Sequence, residues 1–170
     1  MVASYALPTD NWGDFDFTFG ANFTDTEVTD APTSEVLPGV SLFARREIAR
    51  FEVGQPENKL IAAVDWSRGP FAGFVRATRF GDTIDPGSAA GGSGDEELSP
   101  KTIVDAEFSA DITEGLNLAF GANNVFDEYP DVTAETPSLD GTFSRIFPFS
   151  GFSPFGFSGR YIYGRVRYSW

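Results

Sequence analysis

The stretch DFDFTFGANFT, from Asp14 to Thr24, alternates strictly between two kinds of side chain. Its odd-numbered positions are Phe, Phe, Phe, Ala and Phe, and its even-numbered positions are Asp, Asp, Thr, Gly, Asn and Thr. Because successive side chains of a β-strand point to opposite faces, the stretch predicts a strand with one apolar and one polar face. This pattern decides the fold class.

The same period of two recurs along the chain and predicts seven strands. The other six predicted strands are Ala3–Leu7, Lys59–Ser67, Phe71–Thr78, Val104–Ile112, Leu116–Asn123 and Tyr161–Trp170. Helical periodicity is nearly absent. The sequence therefore predicts an all-β, antiparallel protein.

The connections between the predicted strands alternate in length. The short ones are Pro8–Gly13, Ser67–Pro70 and Thr113–Gly115, and the long ones are Asp25–Asn58, Gly81–Lys101 and Asn124–Gly159. Short turns at one end of a sheet and long loops at the other are typical of outer-membrane β-barrels. We therefore expect a transmembrane β-barrel fragment, an open or partial barrel with long extracellular loops.

Composition excludes several classes of function. The 170 residues include 12 Lys and Arg against 25 Asp and Glu, and the net charge of -13 would repel nucleic acid. The absence of Cys removes disulfides and thiolate metal sites, and the absence of His removes the usual general base and the Ser–His triad. Nothing marks a nucleophile or a metal site, so we expect neither an enzyme nor a cofactor.

The charges on the predicted strands share the polar face. A Lys or Arg facing lipid costs about 2–4 kcal/mol near the bilayer midplane, so an uncharged face is what contact with lipid requires. A soluble β-sandwich, in which two apolar faces meet in a core, explains the alternation equally well. It explains the one-sided loop lengths poorly.

Several segments resemble one family, the TonB-dependent outer-membrane receptors. FGANNVFDEYPD (Phe120–Asp131) resembles their penultimate-strand motif, and SPFGFSGRYIYGRVRYSW (Ser153–Trp170) closely resembles their C-terminal strand. Arg45–Trp66 resembles the loop-to-strand passage of the same region. The terminal aromatics Tyr168 and Trp170 look like the signal that the barrel-assembly machinery reads.

The resemblance implies that residues 1–170 are the C-terminal segment of a receptor barrel of about 22 strands. No plug-like segment, energy-coupling box or export signal is visible, and seven is an odd number where single-chain barrels use even ones. We therefore expect a fragment that lacks the plug domain and the N-terminal strands. Its implied location is the outer membrane of a Gram-negative bacterium.

The resemblance also assigns the two faces and the partners. Lipid-facing residues would be Phe15, Phe17, Phe19, Val64, Trp66, Phe108, Leu118, Phe120 and Val166. Lumen-facing candidates are Asp14, Asp16, Lys59, Asp65, Arg76, Asp105, Glu107, Asp111, Arg165 and Arg167, for which structural ion pairing is favoured over direct contact with substrate. The implied partners are outer-membrane lipid, the barrel-assembly machinery, a small-molecule ligand and a TonB complex reached through the N-terminal part.

Two loop segments have open interpretations. Gly87–Gly94 reads as a flexible tip beside the acidic cluster Asp95–Glu97, where a solvated loop is favoured over calcium binding because the spacing matches no EF-hand. Phe143–Phe157 is dense in Phe, and loop packing or an interfacial aromatic belt is favoured over a stacking surface for an aromatic or sugar ligand.

The function implied by the resemblance is active uptake of a scarce nutrient, such as a ferric siderophore, cobalamin or a glycan, energised through TonB. Two alternatives stay open at this point. One is another outer-membrane barrel, such as a porin-like protein, and the other is a soluble β-sandwich binding module.

Overall fold

The computed structural model describes residues 1–36, 41–86, 92, 94–133 and 148–170. The elements in chain order are β1 (Val2–Thr9), β2 (Gly13–Phe23), α1 (Arg45–Glu52), β3 (Asn58–Arg68), β4 (Phe71–Phe80), β5 (Thr83–Asp85), β6 (Glu96–Leu98), β7 (Lys101–Thr113), β8 (Leu116–Asn123) and β9 (Tyr161–Tyr168). Seven strands form one antiparallel sheet in the order β1-β2-β3-β4-β7-β8-β9. All seven predicted strands are present, and the all-β, antiparallel prediction is confirmed.

The sheet is open, with β1 and β9 at its edges. Short turns at residues 10–12, 69–70 and 114–115 join its strands at one end. Gly69 has a φ of 57°, in the left-handed region that glycine enters without steric cost, and this allows the tight β3–β4 turn. β5 and β6 form a separate hairpin within the second long connection.

The pairing register joins the apolar positions of neighbouring strands into one face. Phe17 of β2 lies opposite Tyr5 of β1 and Val64 of β3. Phe108 of β7 lies opposite Phe120 of β8, and the same parity continues into β9. The apolar face therefore runs across the whole sheet, and the charged residues of the strands share the other face, except for Arg68 and Arg79 near strand ends.

No second layer covers the apolar face in the described part of the chain. Phe19, Phe108, Phe120 and Val166 remain 55%, 51%, 65% and 70% exposed. The other described sheet is the two-stranded β5–β6 hairpin. A β-sandwich would bury these side chains between two sheets, and the described residues do not contain that arrangement.

The helix α1 was not expected from the sequence, which predicts an irregular connection between β2 and β3. Eight residues are too few to produce a clear helical period, and Ala44 at the N-cap provides no side-chain hydrogen bond. Packing stabilises the helix instead: Ala49 is buried, and Glu52 accepts a hydrogen bond from the backbone N–H of Val28 at 3.0 Å. Within the described ranges, no helix has the length and apolar character needed to cross a bilayer.

Candidate functional site

The polar face carries cross-strand ion pairs between β4, β7 and β9. Arg76 lies opposite Asp105, with 2.7 Å between Nη2 and Oδ2. Arg165 Nη2 lies 2.7 Å from Glu107 Oε1, and the Tyr163 hydroxyl donates to Glu107 Oε2 at 2.9 Å. The carboxylate side chains of Asp105 and Glu107 are only 13% and 12% exposed. Four of the ten candidate lumen residues therefore pair with one another within the sheet.

The remaining six candidates divide into two groups. Asp111 accepts a hydrogen bond from the Asn117 side chain at 2.8 Å, and the Lys59 ammonium lies 4.9 Å from the centre of the Phe80 ring. Among the described residues, no side-chain hydrogen bond or ion pair is formed by Asp14, Asp16, Asp65 and Arg167.

The unpaired acids concentrate on β2 and β3. Asp16 lies directly opposite Asp65, and Asp14 is two residues from Asp16 on the same face. Like charges opposite each other on a sheet repel, so this part of the polar face is complementary to a positively charged partner. The described residues contain no cluster of three or more carboxylates that could hold a metal ion.

Gly121 on the polar face makes room for the Tyr163–Glu107 contact. A Cβ at Gly121 would lie 2.5 Å from Tyr163 Cζ and 3.0 Å from the backbone oxygen of Ala106. We expect Gly121→Ala to displace the Tyr163 ring and to lower the free energy of unfolding in vesicles by about 1–3 kcal/mol. Urea titration at one protein-to-lipid ratio measures this change.

Gly20→Ala is the matched control for this substitution. Gly20 lies on the same polar face, and its added Cβ would meet Ile61 Cβ at an ordinary 3.6 Å. Equal losses for Gly20→Ala and Gly121→Ala would contradict the crowding argument.

The three long connections meet in a cluster at one end of the sheet, which we call the loop cluster (residues 45–54, 82–86, 94–99, 127–133 and 148–155). Asp85 accepts a hydrogen bond from the Ser150 hydroxyl at 2.7 Å and lies 3.7 Å from Arg46 Nη2. Arg45 forms an ion pair with Asp95, and this hydrogen bond raises the pKa of Arg45 above its ordinary value. These contacts tie all three connections together.

Most of the buried residues in the described part of the chain lie in the loop cluster and not in the sheet. The buried members include Ala49, Thr83, Pro86, Leu98, Thr133 and Ser150. The sequence does not show this common packing, because the buried residues come from three separate connections. The loop cluster is therefore a packed structure that can hold surface residues in fixed positions.

The described part of the Phe-rich segment, residues 148–157, packs against the rest of the chain. Phe149 stacks on Tyr129 with 5.8 Å between ring centres, and Phe155 stacks on Phe80 at 5.8 Å. The guanidinium of Arg50 lies 5.5 Å from the centre of the Phe152 ring. These contacts match the loop-packing interpretation, and residues 143–147 lie outside the described ranges.

Two other predicted features are placed only in part. Residues 87–91 and 93 of the predicted flexible tip lie outside the described ranges, while Asp95 of the acidic cluster is paired with Arg45. Tyr168 ends β9, and its ring lies 6.2 Å from that of Trp170, which is fully exposed.

Asp131 connects the third long connection to the start of β7. One carboxylate oxygen accepts hydrogen bonds from the Ser99 N–H and hydroxyl, each at 2.5 Å, and the other lies 2.8 Å from Lys101 Nζ. Partial burial acts to raise the pKa of Asp131, but the hydrogen bonds from Lys101 and Ser99 outweigh it. The pKa of Asp131 is lowered from its ordinary value.

A lowered carboxyl pKa stabilises the folded contact above the ordinary pKa of Asp, and this stabilisation is lost as the pH falls through the lowered value. We expect the protection of the Ser99 amide against hydrogen exchange, corrected for the intrinsic rate, to be constant above about pH 5 and to fall below about pH 4. Asp131→Asn should reduce this protection at pH 7 and remove its pH dependence. An unchanged pH profile in Asp131→Asn would assign the effect to another group. Asp82→Asn, which removes another carboxylate of the loop cluster, serves as the control.

The sheet and its connections have a counterpart among solved structures. The fold is similar to that of a ferric enterobactin receptor. The match is to a crystal structure of that receptor, as a variant, from Pseudomonas aeruginosa, with a TM-score of 0.54 and 16% identity. It covers 99% of this chain and 22% of the receptor chain, so this chain spans about a fifth of the receptor's length.

Two further crystal structures of variants of the same receptor match less of the chain. One has a TM-score of 0.44 and covers 75% of this chain, and the other, in complex with enterobactin, has a TM-score of 0.43 and covers 74%. Both are 18% identical to this chain, and it covers 16% of each. No family model and no curated protein matches the sequence. The match with a TM-score of 0.54 shows a shared fold.

Proposed function

We propose that the chain forms part of the barrel wall and surface loops of an outer-membrane receptor in a Gram-negative bacterium. The receptor imports a scarce nutrient, such as a ferric siderophore, cobalamin or a glycan, with energy delivered by a TonB complex to a plug domain. This chain contributes the wall and the surface loops and carries out no chemistry of its own.

The single-layered sheet with an exposed apolar face carries this proposal. Phe108 and Phe120 lie on interior strands of a face on which the described chain places no second layer. In a barrel wall this face contacts lipid, and the outward-facing apolar band of outer-membrane barrels has this character. The short turns then lie at the periplasmic side and the loop cluster lies outside the cell.

The proposal gives the polar face two roles in the lumen. The Arg76–Asp105 pair braces the neighbouring strands β4 and β7, and the Arg165–Glu107 pair joins β9 to β7 across β8. The unpaired acids of β2 and β3 face positive charges of the plug or of the passing ligand. Tyr168 and Trp170 at the chain end present the signal for the barrel-assembly machinery.

Single cysteines test the proposed orientation, because the chain contains no Cys of its own. We expect Glu97→Cys, in the loop cluster, to react with a membrane-impermeant maleimide on intact cells. Asp10→Cys, in the β1–β2 turn, should react only after the outer membrane is opened. Reversed labelling, or recovery of the protein in the soluble fraction without detergent, would contradict the proposal.

The coding sequence upstream of Met1 tests the role in active transport. A plug domain with an energy-coupling box supports the receptor. An export signal that leads directly into barrel strands would contradict TonB-driven uptake and would indicate a passive barrel.

A further inference from the structure

The apolar face contains an open groove near the loop ends of β1 to β4. Its volume is about 400 Å³, and its lining is almost entirely apolar. The lining includes the small side chains Ala3, Ala21, Ala62 and Ala77, with the larger Phe19 and Leu60 beside them. The groove exists because four neighbouring strands place small residues side by side at this level of the face, next to the larger Phe19 and Leu60.

Arg79 lines the same groove and is the charged side chain of its lining, which also includes Met1, whose terminal ammonium donates to the backbone oxygen of Ala21. It shares the apolar face, opposite Leu60 of β3 and Thr102 of β7, and lies next to the last residue of β4. The side chain is exposed, and its Nη1 donates to Asn58 Oδ1 at 3.3 Å. A guanidinium has five N–H donors, so this contact leaves most of them available.

Charges are rare on this face. In the seven strands of the sheet, all of which are described, the other charged residue of the same parity is Arg68, at the opposite, short-turn end. In the proposed lipid-facing orientation, Arg79 lies at the level of lipid headgroups on the loop side, where a long basic side chain extends towards water while its stem covers apolar surface.

We propose that this groove binds an acyl chain of an anionic lipid whose headgroup accepts hydrogen bonds from Arg79. The inference rests on the proposed function, which makes the apolar face lipid-facing. The apolar lining matches a hydrocarbon chain and offers nothing to orient a polar solute. The guanidinium matches the phosphate oxygens of a headgroup, for which arginine is well suited.

Tryptophan quenching by brominated lipids tests the site in vesicles. Phe19→Trp reports from the groove and Phe108→Trp from the same face outside it, in a chain whose Trp12, Trp66 and Trp170 are replaced by Phe. The two sites are matched in exposure, at 55% and 51%. At equal mole fraction, brominated phosphatidylglycerol should be enriched over brominated phosphatidylcholine at position 19 by up to about fivefold, with no enrichment at position 108.

Two further variants identify the cation responsible. Arg79→Gln should abolish the preference at position 19, and Arg68→Gln, at the other end of the face, should leave it intact. Equal quenching by both lipids at position 19 would overturn the groove site while leaving the face lipid-facing. Absence of quenching at both positions would instead overturn the proposed function.

Discussion

Phe108→Arg is expected to lower the free energy of unfolding of the vesicle-bound chain by about 2–4 kcal/mol. Phe108 lies opposite Gly73 and Phe120 in the interior of the sheet, and its ring is 51% exposed. An arginine there loses its hydration if the surroundings are hydrocarbon. If they are water, an exposed substitution changes stability by within about 0.5 kcal/mol. Urea titration at one protein-to-lipid ratio separates the two cases.

Ser109→Arg is the matched control, because Ser109 is the next residue along β7 and belongs to the polar face. Its hydroxyl makes only a long contact, 3.5 Å, with the backbone oxygen of Ala72. We expect a smaller loss than for Phe108→Arg, since a lumen-facing arginine keeps its water. A neutral Phe108→Arg, or equal losses for the two variants, would contradict the lipid-facing assignment.

The isolated chain is expected not to form a closed monomer in detergent or lipid. β1 and β9 are open edges, and each unpaired backbone group in hydrocarbon costs several kcal/mol. In an antiparallel sheet of seven strands, β1 and β9 run in the same direction. Direct closure would therefore pair them in parallel, unlike the antiparallel barrels of outer membranes. We expect assemblies that join through these edges.

Cross-linking and electrophoresis with and without heating measure this outcome. A compact, heat-modifiable monomer would contradict it. Hydrogen exchange on chains diluted until the assemblies separate provides a second measurement, because central strands such as β3 should be protected throughout. In β9 of the separated chain, residues whose amides point away from β8 should exchange faster, and equal protection of β3 and β9 would argue for a closed monomer.

The sheet was predictable because its pattern is local. Asp16 and Phe17 are neighbours in sequence, and their alternation assigns each to a face without knowledge of the partner strand. The pairing of Arg76 with Asp105 also needs the register of β4 against β7, which the long connection between these strands does not set. Which acids remain unpaired, such as Asp65, depends on the register and is not visible in the sequence.

The loop cluster was not predictable because its contacts join distant residues. Arg45 and Asp95 are 50 positions apart, and Asp85 and Ser150 are 65 positions apart. No periodicity in the sequence indicates such contacts, and the eight residues of α1 are too few to show a clear helical period. The small residues that form the groove beside Arg79 belong to several strands, so the groove also appears only after the strands are aligned.

Spin labels at consecutive residues of β7, from Val104→Cys to Asp111→Cys, test the central claim most directly. We expect the accessibility to oxygen, which concentrates in hydrocarbon, to peak at positions 104, 106, 108 and 110. Accessibility to a water-soluble nickel complex should peak at the positions between them. A nickel maximum at position 108, or low accessibility to both reagents there, would show that the rings face water or a second protein layer.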